Sequence, residues 1–195
     1  MILNVVACRL LVTLILNTYI YIMLYPRQAS KELSEIPTDV LIQSYADRIL
    51  VLVTQMGKVG NLVPLFYILV TTLVTHPPKI QASIPDTVPL LPPPPSHPSD
   101  PNRLLLPPPP AAIQLTYLLG GSSSEHMQTL HSLYAAQIAT IIWTHESQTA
   151  LEASRRSIVV GVALCGRDSD ANADKRERAV FEGVMTMLQE LLLST

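Results

Sequence analysis

A chain of 195 residues is long enough for one domain with a hydrophobic core, and its net charge is −2. This near-neutral charge excludes the electrostatic footprint with which proteins bind nucleic-acid backbones. The two cysteines, Cys8 and Cys165, lie at opposite ends of the chain and indicate neither a disulfide framework nor a metal-binding cluster. We therefore expect a protein of the cytoplasm, with the nucleus as a second location.

The first 24 residues are almost entirely apolar and carry a single charge, on Arg9. The segment is long enough to cross a bilayer, but it lacks the positive N-terminal region and the cleavage site of a secretory signal. Three interpretations stay open: a membrane anchor, a buried or loosely attached helix, and an extension that arises from a misread gene start. Residues 1–30 are therefore assigned to an apolar extension outside the predicted fold.

Dense aliphatic residues between positions 38 and 70 predict β-strands. A first run covers residues 40–45, residues 46–48 form the turn, and a second run covers residues 49–53 and ends at Gln55. The second run is apolar on both faces, which is typical of a strand that is buried on both sides.

A tight connection follows the second run. Gly57 and Gly60 provide the positive φ angles that a hairpin turn needs, and Leu62 begins a third run. Pro64 interrupts this run, so it is predicted to be an edge strand. Residues 31–75 are assigned to the first half of the folded domain.

Of the 17 prolines, 14 lie between Pro77 and Pro110, and they include four in a row at residues 92–95 and again at 107–110. Because each proline removes a backbone donor, the segment is predicted to form neither helix nor sheet. Residues 76–111 are therefore interpreted as a disordered proline-rich insertion. A plain linker and a docking site for SH3 or WW domains are the two functions left open for it.

Order is predicted to resume at Ala112 and to continue to the end of the chain, so residues 112–195 form the second half of the domain. Alternating apolar residues predict a strand over residues 113–119. Ser122 and Glu125 have the spacing of a capping box, and the helix that follows is predicted to end near Thr144.

Two further elements complete the prediction. Residues 157–165 form a short apolar run that is typical of a central strand. Asp174 is predicted to cap a last helix with one apolar face, formed by Val180, Phe181, Val184, Leu188, Leu191 and Leu192. Strands followed by strand, helix, strand and helix predict an α+β layer fold.

No residue pattern predicts catalysis, a cofactor site or a metal site. The chain lacks a nucleophile elbow, a zinc-protease helix, a Walker loop and a dinucleotide fingerprint. His126 and His131 point about 140° apart on a helix, so both are interpreted as solvated residues of its polar face. Residues 57–60 match the G-x-x-G of RNA-binding KH domains, but predicted strands flank them where a KH domain has helices, so no nucleic acid is expected.

Residues 47–65 read Asp-Arg-Ile-Leu-Val-Leu-Val-Thr-Gln-Met-Gly-Lys-Val-Gly-Asn-Leu-Val-Pro-Leu. This string resembles the proteasome assembly chaperone 3 family, in which an aliphatic strand runs into Thr-Gln-x-Gly-Lys-x-Gly and then Leu-Val. The later elements agree in order: a strand that ends at Gly120, a helix with residues 133–138, an aliphatic strand at 159–164 and a terminal helix. The apolar N-terminus and the insertion of residues 66–111 depart from the family pattern.

The resemblance implies a small antiparallel sheet with two helices on one face. It also implies a non-enzymatic chaperone that binds proteasome α subunits, alpha-5 among them, and promotes formation of the α-ring of the 20S core particle. The expected dimer partner is a paralogue similar to proteasome assembly chaperone 4, or a second copy of the chain. The candidate partner-binding residues are Thr54, Gln55, Gly57, Lys58 and Gly60.

One alternative function comes from the segments that the family does not explain. Residues 10–24 would anchor the chain in a bilayer, and the proline-rich segment would recruit SH3 or WW domains. In that case the protein would be a membrane-anchored adaptor.

Overall fold

The computed structural model describes residues 26–55, 78–95, 104–120, 124–149, 155–165 and 173–194. These residues form an α+β fold, as predicted. In chain order the elements are β1 (Arg27–Leu33), β2 (Ile36–Ser44), β3 (Arg48–Gln55), β4 (Lys79–Ser83), β5 (Gln114–Leu119), α1 (Glu125–Thr149), β6 (Ser157–Ala163) and α2 (Ala173–Leu193).

The strands form one six-stranded sheet in the order β1-β2-β3-β6-β4-β5. Every neighbouring pair is antiparallel except β3 and β6, which are parallel. A parallel pair needs a long crossover, and here that crossover contains α1. At the centre of the sheet, Val160 of β6 lies opposite Val51 of β3 on one side and Ile80 of β4 on the other. The prediction of a central strand at this position is confirmed.

Strands β1 and β2 form a hairpin that the sequence analysis did not predict. Leu33 pairs with Ile36, which leaves Ser34 and Glu35 as a two-residue turn with φ angles of 50° and 65°. Positive φ at both turn residues matches the right-handed twist of the flanking strands. The predicted limit of the N-terminal extension, at residue 30, falls inside β1.

Both helices pack against the same face of the sheet and enclose the core with it. Side chains alternate along a strand, so Val51 and Val53 point to the helices. Trp143 is buried in this core and donates from Nε1 to the carbonyl oxygen of Arg156 at 2.9 Å. The largest fully buried side chains are Trp143, Tyr134, Ile42, Ile80, Ile138, Ile142, Ile158, Met185, Met187, Leu188, Val40 and Val51. Each aliphatic side chain buried in this way contributes roughly 1.5–3 kcal/mol.

Helix α1 extends five residues beyond its predicted end at Thr144. Glu146, in this added turn, forms an ion pair with Arg156, the residue before β6. Both side chains are mostly shielded from solvent, so water and salt screen their attraction only weakly. The ion pair therefore holds the end of the helix against the sheet.

Strand β4 contradicts the prediction that no strand forms between Pro77 and Pro110. Residues 79–84 are the longest stretch without proline in that segment, and Ile80 and Ala82 alternate with polar residues. Pro78 precedes the strand and accepts a hydrogen bond on its carbonyl oxygen from the Val162 amide at 3.3 Å. The prediction failed because it treated the whole proline-rich segment alike, whereas this short strand pairs with β5 on one side and β6 on the other.

Part of the remaining proline-rich segment is also folded onto the domain. Pro107 is buried, and its carbonyl oxygen accepts a hydrogen bond from Gln137 Nε2 on α1 at 2.9 Å. Leu104 and Leu106 pack against the core. The predicted solvated conformation holds for residues 91–95, all of which are exposed.

Several predictions lie outside the described residues. These are the N-terminal apolar segment of residues 1–24, the third run from Leu62 and the capping Ser122. Helix α2 begins at Ala173, so Asp174 lies in its first turn. Within the described ranges, neither helix combines the length and apolar character that crossing a bilayer requires.

Candidate interaction surface

We call the side of the sheet that points away from α1 and α2 the open sheet face. Its centre is aliphatic, because Leu41 of β2 lies opposite Leu52 of β3, and Leu50 of β3 lies opposite Val159 of β6. Leu41, Leu50 and Leu52 are half-buried. A sheet with one solvated face usually places polar residues on that face. An aliphatic centre on the other face is instead typical of interaction surfaces.

Gly161 on β6 shapes this centre. A Cβ atom at Gly161 would lie 2.7 Å from Cδ2 of Leu52, so the leucine side chain lies across the glycine. The close approach lets Leu52 fold down onto the sheet. The result is a smoother apolar surface than two facing large side chains would give.

Polar residues border the aliphatic centre at the β1 end of the open sheet face. Asp39 lies opposite Ser30 of β1 on one side and Thr54 of β3 on the other. A groove of about 300 Å³ runs between them, with Leu41 and Leu52 in its wall. An apolar centre with a polar rim is the usual composition of a protein–protein interface. Thr54, one of the candidate partner-binding residues, lies in this groove.

Gln55, the second candidate residue, has a structural role. Its side chain is 4% exposed, and its Nε2 donates to Oγ1 of Thr38 at 3.2 Å. The backbone amide of Cys165 donates to its Oε1 at 2.9 Å. Thr38 in turn donates to the carbonyl oxygen of Ile36 at 3.1 Å. Gln55 therefore links the end of β3 to the start of β2 and to the residues after β6.

The other three candidate residues, Gly57, Lys58 and Gly60, lie outside the described residues. Their role in partner binding stays a prediction. The hydrogen bonds of Gln55 fix the position from which that segment leaves the sheet. Gln55 of the motif thus holds the end of β3 against the start of β2 and the residues after β6.

A second cavity, of about 410 Å³, lies between the first turns of both helices and the ends of β3 and β6. Leu130, Tyr134 and Val180 form its apolar wall, and His126 and Glu177 approach each other to 3.0 Å beside it. Burial, together with the charge of Glu177, raises the pKa of the Tyr134 phenol, so this hydroxyl stays protonated. Tyr134 packs edge-on against Phe181, with ring centroids 5.1 Å apart, and behaves as a core residue.

The interpretation of His131 as a solvated residue was wrong. Its side chain is 4% exposed, and Nδ1 has no hydrogen-bond partner among the described residues. His131 lies on the same stripe of α1 as Ala135 and Ile138, at spacings of four and three residues, and that stripe faces the core. Desolvation lowers its pKa, so the imidazole is held neutral. His126 is exposed, as predicted.

The described residues contain no group of three or more His, Cys, Asp or Glu side chains placed to hold a metal ion. The chemistry available at both cavities is packing and hydrogen bonding. The sequence analysis missed Asp39 and Leu41, because their place beside Thr54 and Leu52 depends on the register between β2 and β3. The aliphatic residues on both faces of β3 were the one visible signal.

The chain was compared with family models, curated proteins and solved structures. No family model matches the chain, and no curated protein matches it. Among solved structures it is similar to a chain of the crystal structure of a novel chaperone complex for yeast 20S proteasome assembly, at 10% sequence identity and a TM-score of 0.43. The alignment covers 85% of this chain and 99% of that chain. A TM-score and an identity this low carry no argument about function.

Proposed function

We propose that the protein is a proteasome assembly chaperone of the chaperone 3 type, which binds proteasome α subunits as a dimer and promotes formation of the α-ring of the 20S core particle. The proposal starts from the motif at residues 47–65 and from the order of the elements after it. Its mechanism contains no covalent step and needs no cofactor. The protein would act in the cytoplasm and the nucleus.

The observation that carries the proposal is the open sheet face. Its aliphatic centre lies on β3, the strand of the motif, at Leu50 and Leu52, and continues onto Leu41 and Val159. Six strands about 4.8 Å apart and about seven residues long span roughly 25 Å by roughly 23 Å. This is on the scale of a standard interface, which buries about 800 Å² on each partner.

In this account the open sheet face forms the dimer with a paralogue similar to proteasome assembly chaperone 4, or with a second copy. The dimer then holds α subunits side by side, with alpha-5 as one contact, and raises their effective concentration. Thr54 lines the interface groove, while Gly57, Lys58 and Gly60 are proposed to contact a partner beyond the position that Gln55 anchors. Binding energy alone orders the α subunits.

Affinity capture of the tagged full chain from its own cells, followed by mass spectrometry, tests this function. We expect proteasome α subunits and a small second chaperone, without mature β subunits. Capture of mature core particles, or of no α subunit, would exclude the assembly role. Carbonate extraction tests the membrane-anchored adaptor: release of the chain into the supernatant excludes it, and retention in the membrane pellet favours it over the chaperone.

A further inference from the structure

The two proline runs have the same length, but the structure places them differently. In the second run, residues 107–110, Pro107 is buried and its carbonyl oxygen accepts the hydrogen bond from Gln137. The carbonyl oxygen of Pro110 accepts from the Ile113 amide at 3.1 Å. In the first run, residues 92–95, all four prolines are exposed, and so is Leu91 before them, at 58%.

The chain is fixed to the domain immediately before the first run. Arg155 donates from its backbone amide to Oδ1 of Asp86 at 3.1 Å and from Nη1 to the carbonyl oxygen of Pro85 at 2.9 Å. Val88 and Leu90 then pack against the core. The chain is therefore held against the domain up to Leu90, and the exposed segment begins at Leu91.

Four consecutive prolines have fixed φ angles and favour the polyproline II conformation before any partner binds. Such a peptide loses little conformational entropy on binding, and its carbonyl oxygens are available as acceptors. Domains that bind polyproline II do so through grooves lined with aromatic side chains. Leu91 adds an apolar side chain at the entry of the run, where an apolar pocket beside such a groove would receive it.

The charge of this segment indicates which kind of polyproline-binding groove it fits. Residues 80–102 contain no lysine or arginine and two acidic residues, Asp86 and Asp100. Some grooves use acidic side chains to bind a basic residue next to the prolines. This segment has no basic residue that such acidic side chains could bind. A groove that is lined by aromatic and apolar side chains alone fits the segment.

We infer that residues 91–95 are a docking peptide for a polyproline-binding domain whose groove is aromatic and lacks an acidic rim, as in WW and EVH1 domains. The second proline run is a structural part of the domain and is not a docking site. This inference is independent of the assembly role, because residues 91–95 belong to none of the strands that form the open sheet face.

The test measures binding of the purified full chain to three immobilised probes: a WW domain, an EVH1 domain, and an SH3 domain with an acidic rim. We expect the WW or the EVH1 domain to bind, and the double variant Pro92→Ala/Pro94→Ala to lose about tenfold in affinity, as does Leu91→Ala. The matched control, Pro108→Ala/Pro109→Ala, replaces exposed prolines of the second run and should bind like the unmodified chain.

Circular dichroism melting of each variant checks that the fold is retained, which we expect because residues 91–95 lie outside every strand and helix. Three results would overturn the inference. They are no binding to the WW and EVH1 probes, tighter binding to the SH3 probe than to either of them, and an equal loss in the control.

Discussion

The two faces of the sheet are both aliphatic at their centres, but they differ in what covers them. On one face, Val51 and Val53 lie beneath α1 and α2 and are fully buried. On the other face, Leu50 and Leu52 of the same strand are half-buried. Five consecutive aliphatic residues predict burial on both sides, and among the described residues the helices cover only one. In the proposed dimer, the partner would complete the burial of the open sheet face.

The largest effect should come from placing the same charge on each face in turn. Val51→Glu buries an unpaired carboxylate among aliphatic side chains, and we expect it to lose several kcal/mol of the roughly 5–15 kcal/mol that stabilise a domain. Leu52→Glu places the charge on the open sheet face, where water can reach it in the free chain. Urea unfolding should show an unfolded Val51→Glu variant and a folded Leu52→Glu variant.

If the two substitutions destabilise the fold equally, the chain itself covers the open sheet face. That result would contradict the difference between the two faces of the sheet. Leu133→Glu is the matched surface control, since this leucine is 47% exposed on α1. It should leave the unfolding midpoint nearly unchanged.

A smaller loss is expected when the hydrogen bonds of Gln55 are removed. Gln55→Ala leaves the Thr38 hydroxyl and the Cys165 amide without this partner in a buried region, which costs about 1–3 kcal/mol. The free energy of unfolding from urea titration measures the loss. Gln114→Ala, at an exposed position of β5, is the control and should have little effect. If both variants lose the same free energy, the network around Gln55 does not hold the end of β3.

The contact between Gly161 and Leu52 offers a finer test of the open sheet face. Gly161→Ala brings a methyl group against Cδ2 of Leu52, and the flexible leucine can move aside at a cost of about 1 kcal/mol. In a Leu52→Ala background the same substitution should lose nothing. A double-mutant cycle measures the coupling between the two positions. A coupling of zero would show that Leu52 does not lie across Gly161.

The smallest effect should come from protonation of His131, a buried residue of α1. His131 is buried and its pKa is lowered, so the unfolded chain binds a proton more readily than the folded chain. The free energy of unfolding should therefore be independent of His131 above the ordinary histidine pKa of 6.5. It should fall as the pH drops below that value. Thermal melting between about pH 7.5 and about pH 5, a range that spans the ordinary histidine pKa, measures this slope.

His131→Phe should flatten the slope, since no proton can bind at this position. His126→Gln is the control, because His126 is exposed and pairs with Glu177 at the surface. An unchanged slope in the His131→Phe variant would mean that another group causes the pH dependence.

The elements with strong periodicity could be predicted from the sequence. The helices α1 and α2 and the strands β3 and β6 each have an apolar pattern long enough to identify them. Strand β1 could not be found, because its sequence, Arg-Gln-Ala-Ser-Lys-Glu-Leu, is mostly polar and its position depends on pairing with β2. Strand β4 is five residues long and is placed by its two neighbours in the sheet.

The candidate surface could be predicted only in outline. The aliphatic residues on both faces of β3 indicated a covered face, but its extent depends on which strands lie beside β3. Leu41 and Asp39 become part of the surface through their register with β3. The role of Gln55 depends on the approach of Cys165, which is 110 positions away along the chain. Long-range pairing of this kind leaves no local pattern.

The central claim is that the open sheet face binds the partner through which α subunits are assembled. The most direct measurement is quantitative affinity capture of three tagged full chains: the unmodified chain, Leu52→Glu and Leu133→Glu. We predict that Leu52→Glu loses the second chaperone and the proteasome α subunits, while Leu133→Glu retains both at the level of the unmodified chain. Retention of both by a folded Leu52→Glu variant would contradict the account.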